Sequence, residues 1–346
     1  MERSRVPRIE PATEVARAER VLFTVGATAY RRRDLVVAAE SWGDWDALLR
    51  EAREEIACDA HAGDVADPLD PTAVDKAAVA FRRARGLLAA EDLESWLAER
   101  DVSVADWLAH LRRSLLCDLW RGELDSLLRA GEPADAAGIA AAAWTRGICT
   151  GALGDLADRL ATEAAAEAAL ATPPADESGV PALADADVGA AAIERRRAAH
   201  ARLVEQAVTA AGIARELDAH RLEWTSVDCV LLVHADLDVL REAALCVVDD
   251  GLELEAVALE AGAELRRSRL LVGELPSEVG GPLLAAEPGQ LLEPVEVDGV
   301  AWLARLEAKT TPSAADPALR ERAVELIAAR ARARALDNWV HWHERL

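Results

Sequence analysis

Lysine is almost missing from this chain: of 39 basic side chains only Lys76 and Lys309 are lysine, and the rest are arginine. Against 62 acidic side chains they leave a formal net charge of −23. That balance excludes the clustered positive surface a phosphate backbone requires, so no nucleic-acid partner is expected. Two arginine runs, Arg31–Arg33 and Arg195–Arg197, do not alter this. Each falls in a predicted helix, where successive residues point in different directions, and both are expected on solvated helix surface. Long apolar runs are lacking too, and none approaches the ~20 residues that cross a bilayer. The opening MERSRVPRIEPATEVARAER is charged throughout and has no apolar signal-peptide core. Five cysteines (Cys58, Cys117, Cys149, Cys229, Cys246), an odd number without CxxC spacing, disfavour a disulfide framework and a zinc site. The expectation is a cytoplasmic protein with reduced thiols, no membrane contact and no metal. No GxxxxGK[ST], GxGxxG or zincin motif and no Ser/His/Asp arrangement occurs, so no cofactor is expected.

What is present is apolar residues, 51% of 346, enough for two or three packed domains. Helix formers dominate most of the chain, and strand-rich composition is confined to the last third. Val21–Ala27 predicts a short strand, followed by helices over about 30–41, 44–58, 72–85 and 91–100. Ser103 with Asp106 forms a capping box opening a helix to about Leu128. The stripe Trp107, Leu108, Leu111, Leu115, Leu119, Trp120 on that helix predicts core. An alanine-rich region, 134–171, carries Gly138, Gly147, Gly151 and Gly154 as helix breaks or points of close packing. TPPADESGVPALADAD, residues 172–187, has linker composition.

After a helix over about 189–219 the period changes. LEWTSVDCVLLV (222–233) predicts a strand with Thr225, Val227, Cys229, Leu231 and Val233 on one face. Helices over about 237–250 and 253–261 should end at Gly251 and Gly262. A short strand is expected at 269–272, a helical turn or two within 275–286, and a strand beginning at Pro294. Asp298-Gly299 then supplies the positive φ values of a type I′ hairpin turn. Asp316 as N-cap with Pro317 behind it opens a last helix expected to run almost to Leu346. On such a helix His341 and His343 would diverge by about 200° and could not share a metal.

The order strand, helix, helix, short segment, then GEL…PGQLLEPVEVDG…WLARLE resembles the parvulin family of peptidyl-prolyl isomerases. Pro288-Gly289-Gln290 and Pro294-Val295 occupy the family's Pro-Gly-Glu-like turn and Pro-Val strand. DDGLELEAVA (249–258) resembles its G-x-x-F-x-x-x-A helix start, with Leu254 for phenylalanine. VLFTVGATAYRRRDL resembles the opening of SurA-type foldases, and LESWLAERDVSVADWLAHLRRSLL (93–116) their paired helices. The resemblance implies an α+β protein: a mostly helical SurA-like N-terminal domain (1–171), a linker (172–188), a connecting helix (189–221), a parvulin-like domain (222–312) and a C-terminal helix (313–346) packing on the N-terminal domain. The layout also resembles parvulin-related proteins encoded with peptide-maturation systems.

A parvulin twists a prolyl amide over a barrier of roughly 18–20 kcal/mol, using histidines on the first and last strands, a Cys or Asp, and apolar residues around the proline ring. In this sequence the first-strand His-Ile-Leu becomes Cys229-Val230-Leu231, or places Asp228 there if the register slips by one. The last-strand histidine falls at Ala301 or Trp302. The Gly-Gly-Asp-Leu-Gly loop is replaced by Leu271-Val272-Gly273-Glu274-Leu275. The resemblance therefore implies a peptide-binding foldase or chaperone with a degenerate isomerase site. Asp228 and Cys229 are the candidate catalytic residues, and Leu231, Leu275 and Trp302 the candidate peptide-binding ones. The expected client is an unfolded polypeptide or a precursor peptide, with a peptide-modifying enzyme as possible partner. Two alternatives stand beside it: an active enzyme on a peptide substrate, and a purely structural partner of a maturation enzyme.

Overall fold

The computed structural model describes residues 16–64, 68–130, 135–171 and 183–346. The N-terminal stretch read against a signal peptide, and the linker residues 172–182, lie outside the described residues for the most part. The chain divides into two compact units, residues up to Leu203 with Arg332–Leu346, and Val204–Ala331. The fold class is α+β, as the resemblance implies.

The helical unit is organised around a small sheet of four strands, β1 (Val21–Val25), β2 (Thr28–Arg31), β3 (Ala184–Asp185) and β8 (Val340–Trp342), in the order β3-β2-β1-β8. Strand β1 (Val21–Val25) turns directly into β2 (Thr28–Arg31), so Tyr30 and Arg31 are strand and the first long helix begins only at Arg32. Tyr30 is drawn into the sheet because its ring stacks on Phe23, with centroids 4.7 Å apart. The two-residue β3 (Ala184–Asp185) runs parallel to β2, and β8 (Val340–Trp342) antiparallel to β1. Around this sheet the helices Asp44–Asp64, Val104–Leu119, Ala136–Thr150 and Ala152–Leu170 enclose a core that includes Phe23, Leu35, Trp107, Leu153 and Leu160. Ser103 caps as expected, its Oγ accepting the N–H of Asp106 at 3.0 Å. The helix it opens stops at Leu119 and a second one begins at Leu124, short of the single element expected, because Arg121-Gly122 breaks the run. Leu119 is consequently exposed, whereas Trp107 and Leu111 are core. Of the four glycines in the alanine-rich region only Gly151 breaks a helix, at φ 87°. Gly147 lies inside one, where an added Cβ would sit 2.6 Å from Leu153 Cγ.

Both arginine runs depart from the expected solvated surface. Their middle members are buried, Arg32 against Glu344 and Asp101, and Arg196 against Glu167. The expected final helix also differs. It spans Pro317–Trp339, with Asp316 Oδ1 accepting the N–H of Ala318 at 3.0 Å, and then gives way to β8. The change follows from Val340-His341-Trp342-His343, where apolar and polar side chains alternate with the period of a strand. Trp342 faces the core, 5.1 Å from the Phe23 ring.

The expected helix over 189–219 is two helices, Ala190–Ala207, most of which belongs to the first unit, and Ala210–Ala219, which opens the second, with Thr209 capping the latter by accepting the N–H of Gly212. The next element is β4 (Ser226–His234), then helices Leu237–Val248 and Leu254–Ala261, β5 (Glu264–Leu271), a 3₁₀ turn at Val272–Glu274, a helix Ser277–Ala285, β6 (Val295–Val297) and β7 (Val300–Thr310). The element order is the one the parvulin resemblance implies. All pairings are antiparallel, in the order β5-β4-β7-β6. β5 is longer than the four residues expected, since Arg266, Arg267 and Arg269 have strand-edge positions where charged side chains reach water.

Strand β4 is central and covered on both faces, which is why VLLV reads as a continuous apolar run. Val230 and Leu232 pack with Leu240, Leu254 and Leu303 under the paired helices. Val227, Cys229 and Leu231 pack with Val279, Leu283 and Leu306 under the helix Ser277–Ala285. Each fully buried leucine contributes roughly 1.5–3 kcal/mol. The β6–β7 turn has Asp298 at φ 52° and Gly299 at φ 77°, the type I′ geometry expected. Gly299→Ala should destabilise this unit by about 1–2 kcal/mol, the cost of a Cβ in the left-handed region. Chemical denaturation checks this, and an unchanged midpoint would contradict the turn geometry.

Candidate functional site

The face of the sheet beneath helix Ser277–Ala285 holds most of the residues singled out from the sequence. Strand alternation places Val227, Cys229, Leu231 and Val233 along β4, and the register sets Cys229 opposite Leu306 and Val233 opposite Trp302 on β7. Trp302 in turn faces Val295 on β6. Cys229, Leu231, Leu275 and Trp302 therefore belong to one apolar cluster. The helix over it is pinned by Lys309, whose Nζ donates to the Leu284 carbonyl at 2.5 Å. Turn Pro288-Gly289 is tied to the same strand, with the Gly289 N–H donating to the Leu306 carbonyl at 2.7 Å. Buried Cys229 and Leu231 form the floor of the face. Val233, Leu292, Val295, Val297 and Trp302 are half-buried and form its open part.

Asp228 is not among them. Its side chain is 42% exposed and lies 3.9 Å from the Nε of Arg269, its cross-strand partner. Arg269 also donates to Ser226 Oγ at 3.1 Å. Alternation puts Ser226 and Asp228 on the face opposite Cys229, so the two candidate catalytic residues do not share a site. A bulge on β7 skips Glu307 between the partners of Asp228 and Cys229 and re-aims the strand there.

The electrostatics of the face follow from its dryness. Burial, with Asp228 and Glu307 nearby, pushes the Cys229 thiol up to about 11. It is a thiol at neutral pH and a poor nucleophile. Cys229 should therefore resist iodoacetamide at pH 8 while half-buried Cys246 reacts, as peptide mapping would show. Modification of Cys229 at the rate of Cys246 would mean the face opens. The raised value also has a sign. The stability it contributes is complete below the unfolded value near 8.5, and falls as pH climbs through about 11, because the folded state there binds the extra proton.

None of the seven histidines of the chain lies on this face. His234 is the last residue of β4, where alternation sets it on the face opposite Cys229, and its Nδ1 accepts the N–H of Asp236 at 2.9 Å. His220 stacks on Trp224 and contacts Glu216 and Glu223. The sequence had singled out Leu231, Leu275 and Trp302 but not Val233, Leu292, Val295 and Val297. Val233 stands two places after Leu231, and Val295 and Val297 alternate with Glu296, a period-2 signal that could have found them. Among the described residues no group of three or more His, Cys, Asp or Glu side chains is arranged to hold a metal ion.

No family model and no curated protein matches the chain. Solved structures do. The foldase PrsA of Lactococcus lactis matches at 12% identity over 94% of this chain and 96% of its own, with a TM-score of 0.29. This chain is similar to foldases of the PrsA and SurA kind. The peptidylprolyl isomerase PrsA of Bacillus anthracis matches at 10% identity over 70% of this chain and 92% of its own, with a TM-score of 0.27. A SurA-like chaperone of Campylobacter jejuni matches at 9% identity over 93% and 98%, with a TM-score of 0.19.

Proposed function

We propose that this chain is a peptide-binding foldase or chaperone whose parvulin-like sheet face holds extended polypeptide without isomerising it. The observation that carries this is the pairing of Trp302 with Val233 and Val295 over the floor made by Cys229 and Leu231. An aromatic ring at the rim of an apolar face offers a large contact area at little conformational cost. The same face has no histidine to exchange hydrogen bonds with a twisting amide, and its one thiol stays protonated. The short β6 edge beside Trp302 leaves backbone groups to which an extended segment could add.

The client we infer is an unfolded polypeptide, and more narrowly a precursor peptide in a maturation pathway, with a peptide-modifying enzyme as partner. What supports the narrower statement is the layout of the sequence and its cysteine usage, which also support a cytoplasmic location. Titration calorimetry with an unstructured, apolar-rich peptide tests the proposal. Saturable binding is expected, and its absence overturns the proposal. The enzymatic alternative through Asp228 and Cys229 has no geometric support, because the two side chains occupy opposite faces.

A further inference from the structure

Near the end of strand β8 lie two exposed imidazoles, His341 within the strand and His343 one residue beyond it. Residues i and i+2 of a strand share a face, whereas on a helix they diverge. The ring centroids are 4.8 Å apart with planes at 84°. Neither ring hydrogen-bonds to another group among the described residues, so their nitrogens remain available to a ligand. The backbone that carries them is fixed. His341 pairs with Thr24 in the sheet, and the N–H groups of His343 and Glu344 both donate to the Leu22 carbonyl, at 2.9 and 3.0 Å.

We propose that His341 and His343 chelate one divalent late first-row transition ion, such as Zn²⁺, Ni²⁺ or Cu²⁺. Such ions hold imidazole nitrogens at about 2.0–2.1 Å, which puts each ring centre about 3.2 Å from the ion and two rings at a bite of roughly 90–110° about 4.5–5.2 Å apart. The observed separation falls inside that range, so the rings stand close enough to share an ion once rotation about their side-chain bonds turns one nitrogen of each toward it. Imidazole suits these ions and not Mg²⁺ or Ca²⁺, and Cu²⁺ should bind most tightly. With two protein ligands the remaining positions belong to water, and the affinity is far below that of a closed four-ligand site. Binding also selects the strand. Continuation of the preceding helix through residue 343 would part the rings and destroy the site. The ion therefore favours the paired form of β8, independently of anything that happens at the sheet face around Trp302.

The test uses the full chain without an affinity tag, freed of metal by a chelator and titrated with Zn²⁺ in a calorimeter. Cu²⁺ electron paramagnetic resonance then reports nitrogen ligation. One equivalent bound through two nitrogens is expected. His341→Gln and His343→Gln should each lower affinity at least as much as loss of an outer-shell partner, roughly 10–100-fold. Both side chains are exposed, so circular dichroism of the variants should match the parent chain. A binding isotherm unchanged in either single variant would place the ion elsewhere and overturn the proposal. The absence of saturable binding at millimolar metal would do the same.

Discussion

Replacing Arg32 with methionine should destabilise the helical unit by about 3–5 kcal/mol, the usual cost of breaking a buried ion pair from one side. Arg32 is 1% exposed, and its guanidinium holds Glu344, whose side chain is 8% exposed, together with Asp101. Removing the cation leaves the Glu344 carboxylate buried without its main partner, and Arg20, 3.6 Å away and 43% exposed, can compensate only in part. The loss belongs to desolvation rather than to Coulomb attraction. Replacing both partners, Arg32→Met with Glu344→Leu, should therefore recover most of it, since apolar side chains of similar volume often substitute for a buried pair without cost. Urea denaturation of the single and double variants measures both. A single-variant loss below about 1 kcal/mol is what an exposed pair would give, and would contradict the burial.

Trp302→Ala should weaken peptide binding by about 30-fold, corresponding to the ~2 kcal/mol of an interface hot spot. The ring is half-buried at the rim of the face, so the β4–β7 pairing should survive its removal, and circular dichroism should confirm that the unit remains folded. Trp302→Phe should retain most of the affinity, because contact area matters there and no hydrogen bond is required of the indole. Asp228→Asn should leave binding unchanged, since that carboxylate faces Arg269 on the other side of the sheet. Equal losses in Trp302→Ala and Asp228→Asn would mean that the peptide does not lie on the proposed face.

Much of the sheet unit was legible in the sequence because its punctuation is local. Gly262 ends its helix in the left-handed conformation, donating to the Ala258 and Leu259 carbonyls. Asp298-Gly299 forces its turn, and the alternation in β4 assigns Cys229 and Leu231 to one face. What escaped depends on long-range contacts. Arg32 reads as surface until Glu344, more than three hundred residues away, is brought against it. Tyr30 reads as the start of a helix until Phe23 stacks upon it. The tail reads as helix because alanine and arginine dominate up to Leu336, and only its pairing with β1 reveals that Val340–Trp342 is a strand. That one change of period reversed the expectation for His341 and His343, from side chains pointing apart to neighbours on one face.

The central claim is that the sheet face binds peptide without catalysing prolyl isomerisation, and NMR exchange spectroscopy on a labelled peptide with one Xaa–Pro bond tests it most directly. Uncatalysed exchange takes tens to hundreds of seconds at 25 °C. Titrating the full chain should shift and broaden the peptide signals while cis and trans peaks remain without exchange between them. Cis–trans exchange accelerated to milliseconds would contradict the account, and would mean that the chemistry persists on a face that has lost its histidines.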